Sequence, residues 1–315
     1  MLRFLLASAT LLLSAASAPA FTYLGEFGKP GFEEIGAFEL LSYIAVDPAG
    51  HVWIANSAGT SRLQEFSATG AHLHTWWTRG DIKTQLNTPG PLAFTPDGAH
   101  LFVVTYPSVI WKGTLTGVNT HTFGGTGYAD DKFYKASGIA VDSLGFVYVT
   151  DRDRGTISKF SSTGAFQTSW RFSSVKNSRI NAAFSSITVQ TVTNPNHTKT
   201  DFLYVTEGQD SSVLKLDTTG RVLQRFGGTR GPGNGQLDDP QSVVVDKNGL
   251  VYVADYYNQR VEVFEPNGAF AFAYKGTADS KTQTFLVNGL ALSPTGNVLY
   301  VLIDHISKVL RYQIY

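Results

Sequence analysis

The residues able to do chemistry gather in six short stretches: Asn56-Ser-Ala-Gly-Thr-Ser-Arg62, Tyr106-Pro-Ser-Val-Ile-Trp111, Asp151-Arg-Asp-Arg154, Glu207-Gly-Gln-Asp210, Asp255-Tyr-Tyr-Asn-Gln-Arg260 and Asp304-His305. Their chemistry is recognition rather than bond-making. Tyr106, Trp111, Tyr256 and Tyr257 offer aromatic contact area. Arg152 and Arg154 offer bidentate donors, and Asp153, Asp210, Asn258 and His305 add polar contacts. Tyr, Trp and Arg are the types that anchor interfaces. Asn56, Asp151, Glu207 and Asp255 open their stretches at one shared position, where such a side chain caps a turn by accepting backbone N–H bonds. Arg62 and Arg260 also share a position and are placed to pair with the turn acid. Arg152, Asp153, Arg154, Tyr256 and Tyr257 differ between stretches, so a repeating scaffold does not demand them.

Other chemistries fit less well. Asp151, Asp153, Glu207, Asp210, Asp255 and Asp304 have the oxygen ligands a hard cation such as calcium takes. No calcium-loop spacing accompanies them, so neither a metal nor a cofactor is expected. Of the seven histidines, His72 and His74 stand two apart on one strand face, and His121 takes the place of His74 in the next repeat. They read as surface decoration. No G-x-S-x-G, H-E-x-x-H or phosphate-loop stretch occurs, and no residue is assigned a catalytic role. The absence of cysteine excludes thiolate chemistry, disulfides and cysteine-ligated zinc.

The elements that must position these stretches repeat. Ile44-Ala-Val-Asp47, Leu92-Ala-Phe-Thr95, Ile139-Ala-Val-Asp142, Ile187-Thr-Val-Gln190, Val243-Val-Val-Asp246 and Leu290-Ala-Leu-Ser293 end 48, 47, 48, 56 and 47 residues apart. The long interval contains the polar insertion TVTNPNHTKTD, which includes the sequon Asn196-His-Thr198. A second strand follows each run, then a third, then a turn that usually carries Gly, then a strand ending in an aromatic. Alternating Val, Ile, Tyr and Phe bounded by Gly, Asn, Asp and Pro mark strands joined by hairpins. Four strands in ~47 residues make a propeller blade. The expected fold is all-β, a six-bladed β-propeller with four-stranded blades. The sixth copy lacks its fourth strand, and residues 21–27 match one: Phe21-Thr-Tyr-Leu-Gly-Glu-Phe27 aligns with Gly220-Arg-Val-Leu-Gln-Arg-Phe226. The N-terminal strand is therefore expected to close the last blade and protect its edge.

The unit P-x-S-V-V-V-D-x-x-G-x-V-Y-V-A-D-x-x-N-x-R-V-x-V-F, read from Pro240, resembles the NHL repeat, and the chain resembles a six-bladed NHL propeller. Members serve as protein-binding, RNA-binding and catalytic modules, so the resemblance implies a fold before a function. The peptide-amidating lyases and gluconolactonase-like propellers, similar in fold, carry zinc-binding histidines or a Glu/Asn/Asp metal set at the channel mouth. The positions leading into the inner strands here are Ser42, Gly90, Ser137, Ser185, Gln241 and Asn288. None is His, Asp or Glu, and only Asn288 suits the second set.

Arg3, an apolar stretch from Phe4 to Leu13 and Ala18-Pro-Ala20 have the layout of a secretory signal peptide. Residues 1–20 are expected to be that leader, with a single propeller domain over 21–315. The apolar stretch falls short of the ~18 to 20 residues a membrane span needs. The balance of 25 basic and 25 acidic residues argues against nucleic-acid or anionic-membrane partners. The expectation is a secreted or extracellular protein (periplasmic if bacterial), monomeric, acting as a non-catalytic binding module for a protein, peptide or carbohydrate. The alternative is a metal-assisted lyase or lactonase at the channel mouth. Deleting residues 21–27 is expected to lower the melting temperature and soluble yield; an unchanged melting curve would refute the closure.

Overall fold

In the computed structural model, each repeat folds into one antiparallel sheet with its strands in chain order. The structure describes residues 21–31, 34–38, 42–57, 61–77, 88–173, 183–276 and 285–314. The expected leader, residues 1–20, lies outside them. Blade 1 comprises Ser42–Val46, Val52–Asn56, Arg62–Phe66 and His72–Trp77. Blade 2 comprises Pro89–Phe94, His100–Thr105, Val109–Thr114 and Asn119–Gly124. Blade 3 comprises Ala136–Val141, Val147–Asp151, Thr156–Phe160 and Phe166–Arg171. Blade 4 comprises Phe184–Thr193, Lys199–Glu207, Ser212–Asp217 and Val222–Gly227. Its first hairpin is long because the polar insertion extends both strands. Blade 5 comprises Pro240–Val245, Val251–Asp255, Arg260–Phe264 and Phe270–Tyr274.

Blade 6 is assembled from both ends of the chain, as expected. Val287–Leu292, Val298–Ile303 and Lys308–Gln313 are completed by Thr22–Phe27. Tyr23 pairs with Tyr312 and Phe27 with Val309. Lys308 and Glu26 form an ion pair across this seam, and Phe21 stacks on Tyr274 of blade 5 with ring centroids 4.7 Å apart.

The apolar core is divided among six clusters, and each lies at a blade boundary. Trp53, Leu63 and Trp76 of blade 1 meet Leu92, Val103 and Trp111 of blade 2. Phe27 and Leu302 of blade 6 meet Ile54 and Phe66 of blade 1. The other four boundaries are built alike. The second strands of blades 1, 3 and 5 are buried along their whole length, and each opens with three consecutive large apolar residues rather than an alternating pattern.

The recurring Gly turn and the outer-strand aromatic are two halves of one contact. Gly220, in the turn before the outer strand of blade 4, has φ +86°, and a Cβ there would sit 2.3 Å from the Trp170 ring of blade 3. Gly70 of blade 1 receives Phe27 of blade 6 in the same way. A side chain at either position would be strained by its backbone and would collide with the neighbouring blade.

Phe27→Ala should cost ~3–5 kcal/mol of stability, the range for emptying a buried aromatic site. Leu24→Ala, on the same strand but 42% exposed, should stay within ~0.5 kcal/mol. Denaturant titration of both variants checks this. Equal effects would mean that the closing strand is held by its backbone alone.

Candidate ligand-binding face

Antiparallel order places the loop leading into each inner strand, and the turn between the second and third strands, at one end of the ring, here termed the upper face. The turns share one backbone feature. The residue just before each third strand adopts left-handed φ: Ser61 (44°), Ser108 (63°), Gly155 (61°), Ser211 (51°), Gln259 (55°) and Ser307 (54°). The shared turn acids cap them. Asp151 accepts from the N–H groups of Tyr134 (2.6 Å), Lys135 (3.2 Å), Asp153 (3.2 Å) and Arg154 (3.1 Å). Glu207 accepts from Gln209 N–H at 3.0 Å and Asp210 N–H at 2.8 Å. Asp255 accepts from Asp238 N–H at 2.7 Å and from the Arg260 guanidinium at 2.8 Å.

Arginine pins the loops that lead into blades 1, 3 and 5. Arg62 donates to Ala37 O at 2.5 Å. Arg260 donates to the carbonyls of Pro232 (3.1 Å), Gly233 (2.8 Å) and Gln236 (2.6 Å). In blade 3, Thr156 holds the corresponding position and Arg154 takes over, donating to Ala129 O at 3.0 Å and Lys132 O at 2.9 Å. Each pinned loop buries one apolar residue completely: Ala37, Phe133 and Leu237.

These contacts correct part of the proposed recognition set. Trp111 is not a surface aromatic: it is only 2% exposed. The third strand begins at Val109, which turns Trp111 into the boundary with blade 1, over Gly113, whose Cβ would lie 1.9 Å from its ring. Arg154 is committed to its loop. Asn258 donates to Gly231 O and Asp255 Oδ2, both at 2.8 Å. Asp210 is buried, 3.7 Å from Arg225. Tyr106 and Tyr257 are 68% and 58% exposed, and Tyr256 stands edge-on to Tyr257 at 5.2 Å. Asp153 is exposed, Arg152 half-buried, and His305 half-buried in the 3-10 turn Asp304–Ile306.

Two aromatics were missed. Tyr128 and Tyr134, 79% and 50% exposed, sit in the loop before blade 3 with their hydroxyls 3.2 Å apart. The signal was present: GGTGYADDKFY and GGTRGPGNGQLDD occupy the same place before blades 3 and 5 but share no tyrosine.

A channel of about 850 Å³ runs through the ring, lined by all six inner strands. Ser137, Ser185, Gln241 and Asn288 line it at the upper mouth, together with Tyr43, Lys135 and Arg152. Asp47 and Asp142 line it at the lower end. Among the described residues, three side chains cluster as metal ligands would: Asp47, His51 and Glu65. They too lie at the lower end, and His51 Nδ1 is 2.7 Å from Glu65 Oε1. His72 and His74 lie on an outer strand, as expected, with His72 bonded to Thr75 at 2.7 Å.

The NHL repeat family model matches residues 133–160 and 237–264, which are blades 3 and 5 with their pinned loops. Blades 3 and 5 thus carry NHL repeats within a six-bladed propeller. A 43-residue segment is 49% identical to the E3 ubiquitin-protein ligase TRIM71 of Mus musculus, and equally to that of Rattus norvegicus. It spans 14% of this chain and 5% of each ligase. Among solved structures, virginiamycin B lyase from Staphylococcus aureus aligns with TM-score 0.58 at 12% identity, over 86% of this chain and 80% of the lyase. A protein of unknown function from Bacteroides thetaiotaomicron aligns with TM-score 0.66 at 14% identity, over 95% of this chain and 76% of its own. Likeness at these identities is a likeness of fold.

The NHL turn of blade 5 holds a buried charge cluster. Burial pushes Glu262 up to about 7, against the pull of the Gly235 N–H and Arg260. Burial also raises Asp255 and Glu207. A carboxyl with a raised folded-state pKa binds more protons folded than unfolded. Its contribution is full below the ordinary value of 4.5 and is lost as pH rises through about 7. Glu262→Gln keeps an acceptor for Gly235 N–H. Wild type should lose stability relative to this variant between about pH 5 and 8, measured as the difference between their melting temperatures. A difference that stays constant with pH would remove Glu262 as the titrating group.

Proposed function

We propose that this NHL propeller is a secreted, non-catalytic binding module that docks a protein or peptide segment on its upper face. The observation that carries the reading is a division of labour on that face. The turn carboxylates and Arg154 and Arg260 are taken up by backbone groups, while Tyr106, Tyr128, Tyr134 and Tyr257 are each at least half exposed. Large, stiff aromatic side chains with a polar tip bind at low entropic cost. Monomeric propellers gain nothing in stability from holding them in water. Secretion rests on the leader pattern of residues 1–20 and on the lack of cysteine, which leaves no thiol to oxidise outside the cell.

The competing reading is a metal-assisted lyase or lactonase at the channel mouth. It draws on the likeness to virginiamycin B lyase. The mouth itself, among the described residues, is lined by hydroxyl, amide, phenol and cationic groups, with the channel's carboxylates at the other end. The binding reading is therefore the better supported one.

The test is a display library of peptides and an array of glycans probed with wild type, Tyr106→Ala, Tyr257→Ala and a rim control, Tyr23→Ala, which is 51% exposed on the closing strand. Selected peptides should lose ~10-fold or more in affinity with the upper-face variants, as hot-spot residues do, without a change in melting temperature. Equal losses with Tyr23→Ala would dismiss the face. Selection of glycans alone would reassign the ligand to carbohydrate.

A further inference from the structure

The channel mouth holds charge that the docking surface does not account for. Arg152 and Lys135 stand side by side there, their backbones joined by Arg152 N–H to Lys135 O at 3.0 Å. Both line the channel. Among the described residues, no hydrogen bond or ion pair engages either side chain. The neighbouring acids are occupied elsewhere. Asp151 caps four backbone N–H groups, and the Tyr134 phenol, raised first by its hydrogen bond with Tyr128, also feels the Asp153 charge. The two channel carboxylates are at the far end and committed. Asp47 accepts from His51 N–H at 2.8 Å and Trp53 Nε1 at 3.0 Å, and Asp142 accepts from Phe146 N–H at 2.8 Å and the Tyr148 hydroxyl at 2.9 Å. Among the described residues that line the channel, those at the upper mouth thus carry positive charge and no carboxylate.

Polar groups converge on the same sector. Ser137 Oγ donates to Phe184 O at 2.8 Å, tying blades 3 and 4 together. The next residue, Ser185, lines the channel with a buried hydroxyl that has no hydrogen-bond partner. A buried hydroxyl without a partner costs free energy that a ligand acceptor would recover. From blade 1, Tyr43 leans across Gly90, where a Cβ would stand 3.7 Å from its ring. Burial raises its phenol pKa, and the Arg152 charge draws it part way back, which places Tyr43 within electrostatic reach of the guanidinium. Below this polar ring the channel is lined by partly exposed apolar side chains, among them Val46, Phe94, Val141, Val189, Val245 and Leu292. Small-molecule sites have volumes of about 300–1,000 Å³, apolar walls and a few convergent polar groups, and the channel's 850 Å³ falls within that range.

We propose that the channel mouth binds a small organic carboxylate with an apolar body, its head held by Arg152 and Lys135 and its body in the channel. The planar guanidinium matches a carboxylate with two parallel N–H donors. Ser185 adds a neutral donor, and the apolar body displaces channel water. The ligand is a free small acid, distinct from the segment that docks on the outer tyrosines.

Hexanoate, hexanamide and inorganic phosphate are the probes, titrated into the full chain and followed by calorimetry and by the side-chain 15N signals of arginine. Hexanoate should saturate and shift the Arg152 signal, while hexanamide should bind at least 10-fold more weakly. Arg152→Ala should weaken hexanoate at least 10-fold and Lys135→Ala several-fold. Arg221→Ala, a control on a lower-face turn paired with Asp217, should leave it unchanged. Lys135 is exposed, so its variant remains informative if Arg152→Ala fails to fold. Hexanamide binding as well as hexanoate, phosphate binding as well as hexanoate, or an effect of Arg221→Ala equal to that of the mouth variants would each overturn the proposal. So would the absence of any saturable shift. The outer tyrosines take no part in this measurement, so its result is independent of the docking reading.

Discussion

A single four-stranded sheet in this protein has two apolar faces and no way to bury both. The ring removes that difficulty, because each blade is covered on either side by its neighbours and the core becomes six boundary clusters. The cost is that the ring must close. With no cysteine to staple it, closure rests on strand Thr22–Phe27 pairing with Lys308–Gln313. The same strand delivers Phe27 into the boundary between blades 6 and 1. The glycine turns follow from the same constraint. An outer-strand aromatic can reach under the next blade only where that blade has no Cβ in the way.

Given the ring, the chemistry of the upper face is largely spoken for. Backbone groups in loops must find partners; acidic caps supply them in blades 3, 4 and 5, and pinning arginines in the loops before blades 1, 3 and 5. Asp151, Glu207, Asp255, Arg154 and Arg260 look like a recognition surface when written in a line. In three dimensions they are hydrogen-bonding scaffolding, and burial raises the carboxyl pKa of Glu207 and Asp255. What the scaffold does not consume is a band of exposed tyrosines and a pair of cations at the channel mouth. Function is sought in that remainder because stability gives no reason for it.

Blades 1, 3 and 5 share devices. Each ends its inner strand in an aspartate whose carboxylate takes turn N–H groups and a Trp or Tyr donor from the second strand. Each is preceded by a pinned loop. Blade 4 substitutes Gln190, which accepts from Tyr204 at 3.1 Å and reaches across to Asp246 O at 3.0 Å. The NHL pattern is thus strict where loop and turn must be locked together and looser where the sheet alone has to pack.

Blade number, strand order, the closing strand and the capping role of the shared acids were legible in the sequence, because each depends on local periodicity or on residue types that repeat at fixed spacing. The alternation of burial along strands and the left-handed turn residues are set within a few positions of the chain. The fate of individual polar side chains was not legible. Arg154 and Asn258 are spent on carbonyls some 25 residues away in sequence, at Ala129 and Gly231, and Trp111 is buried because its strand starts at Val109 and turns it toward blade 1. Tyr43, Arg152 and Ser185 come from three different blades, and no spacing rule connects them. Only closing the ring brings their side chains to one opening, because distance across a channel is decided by how sheets pack, not by how far apart residues lie in the chain.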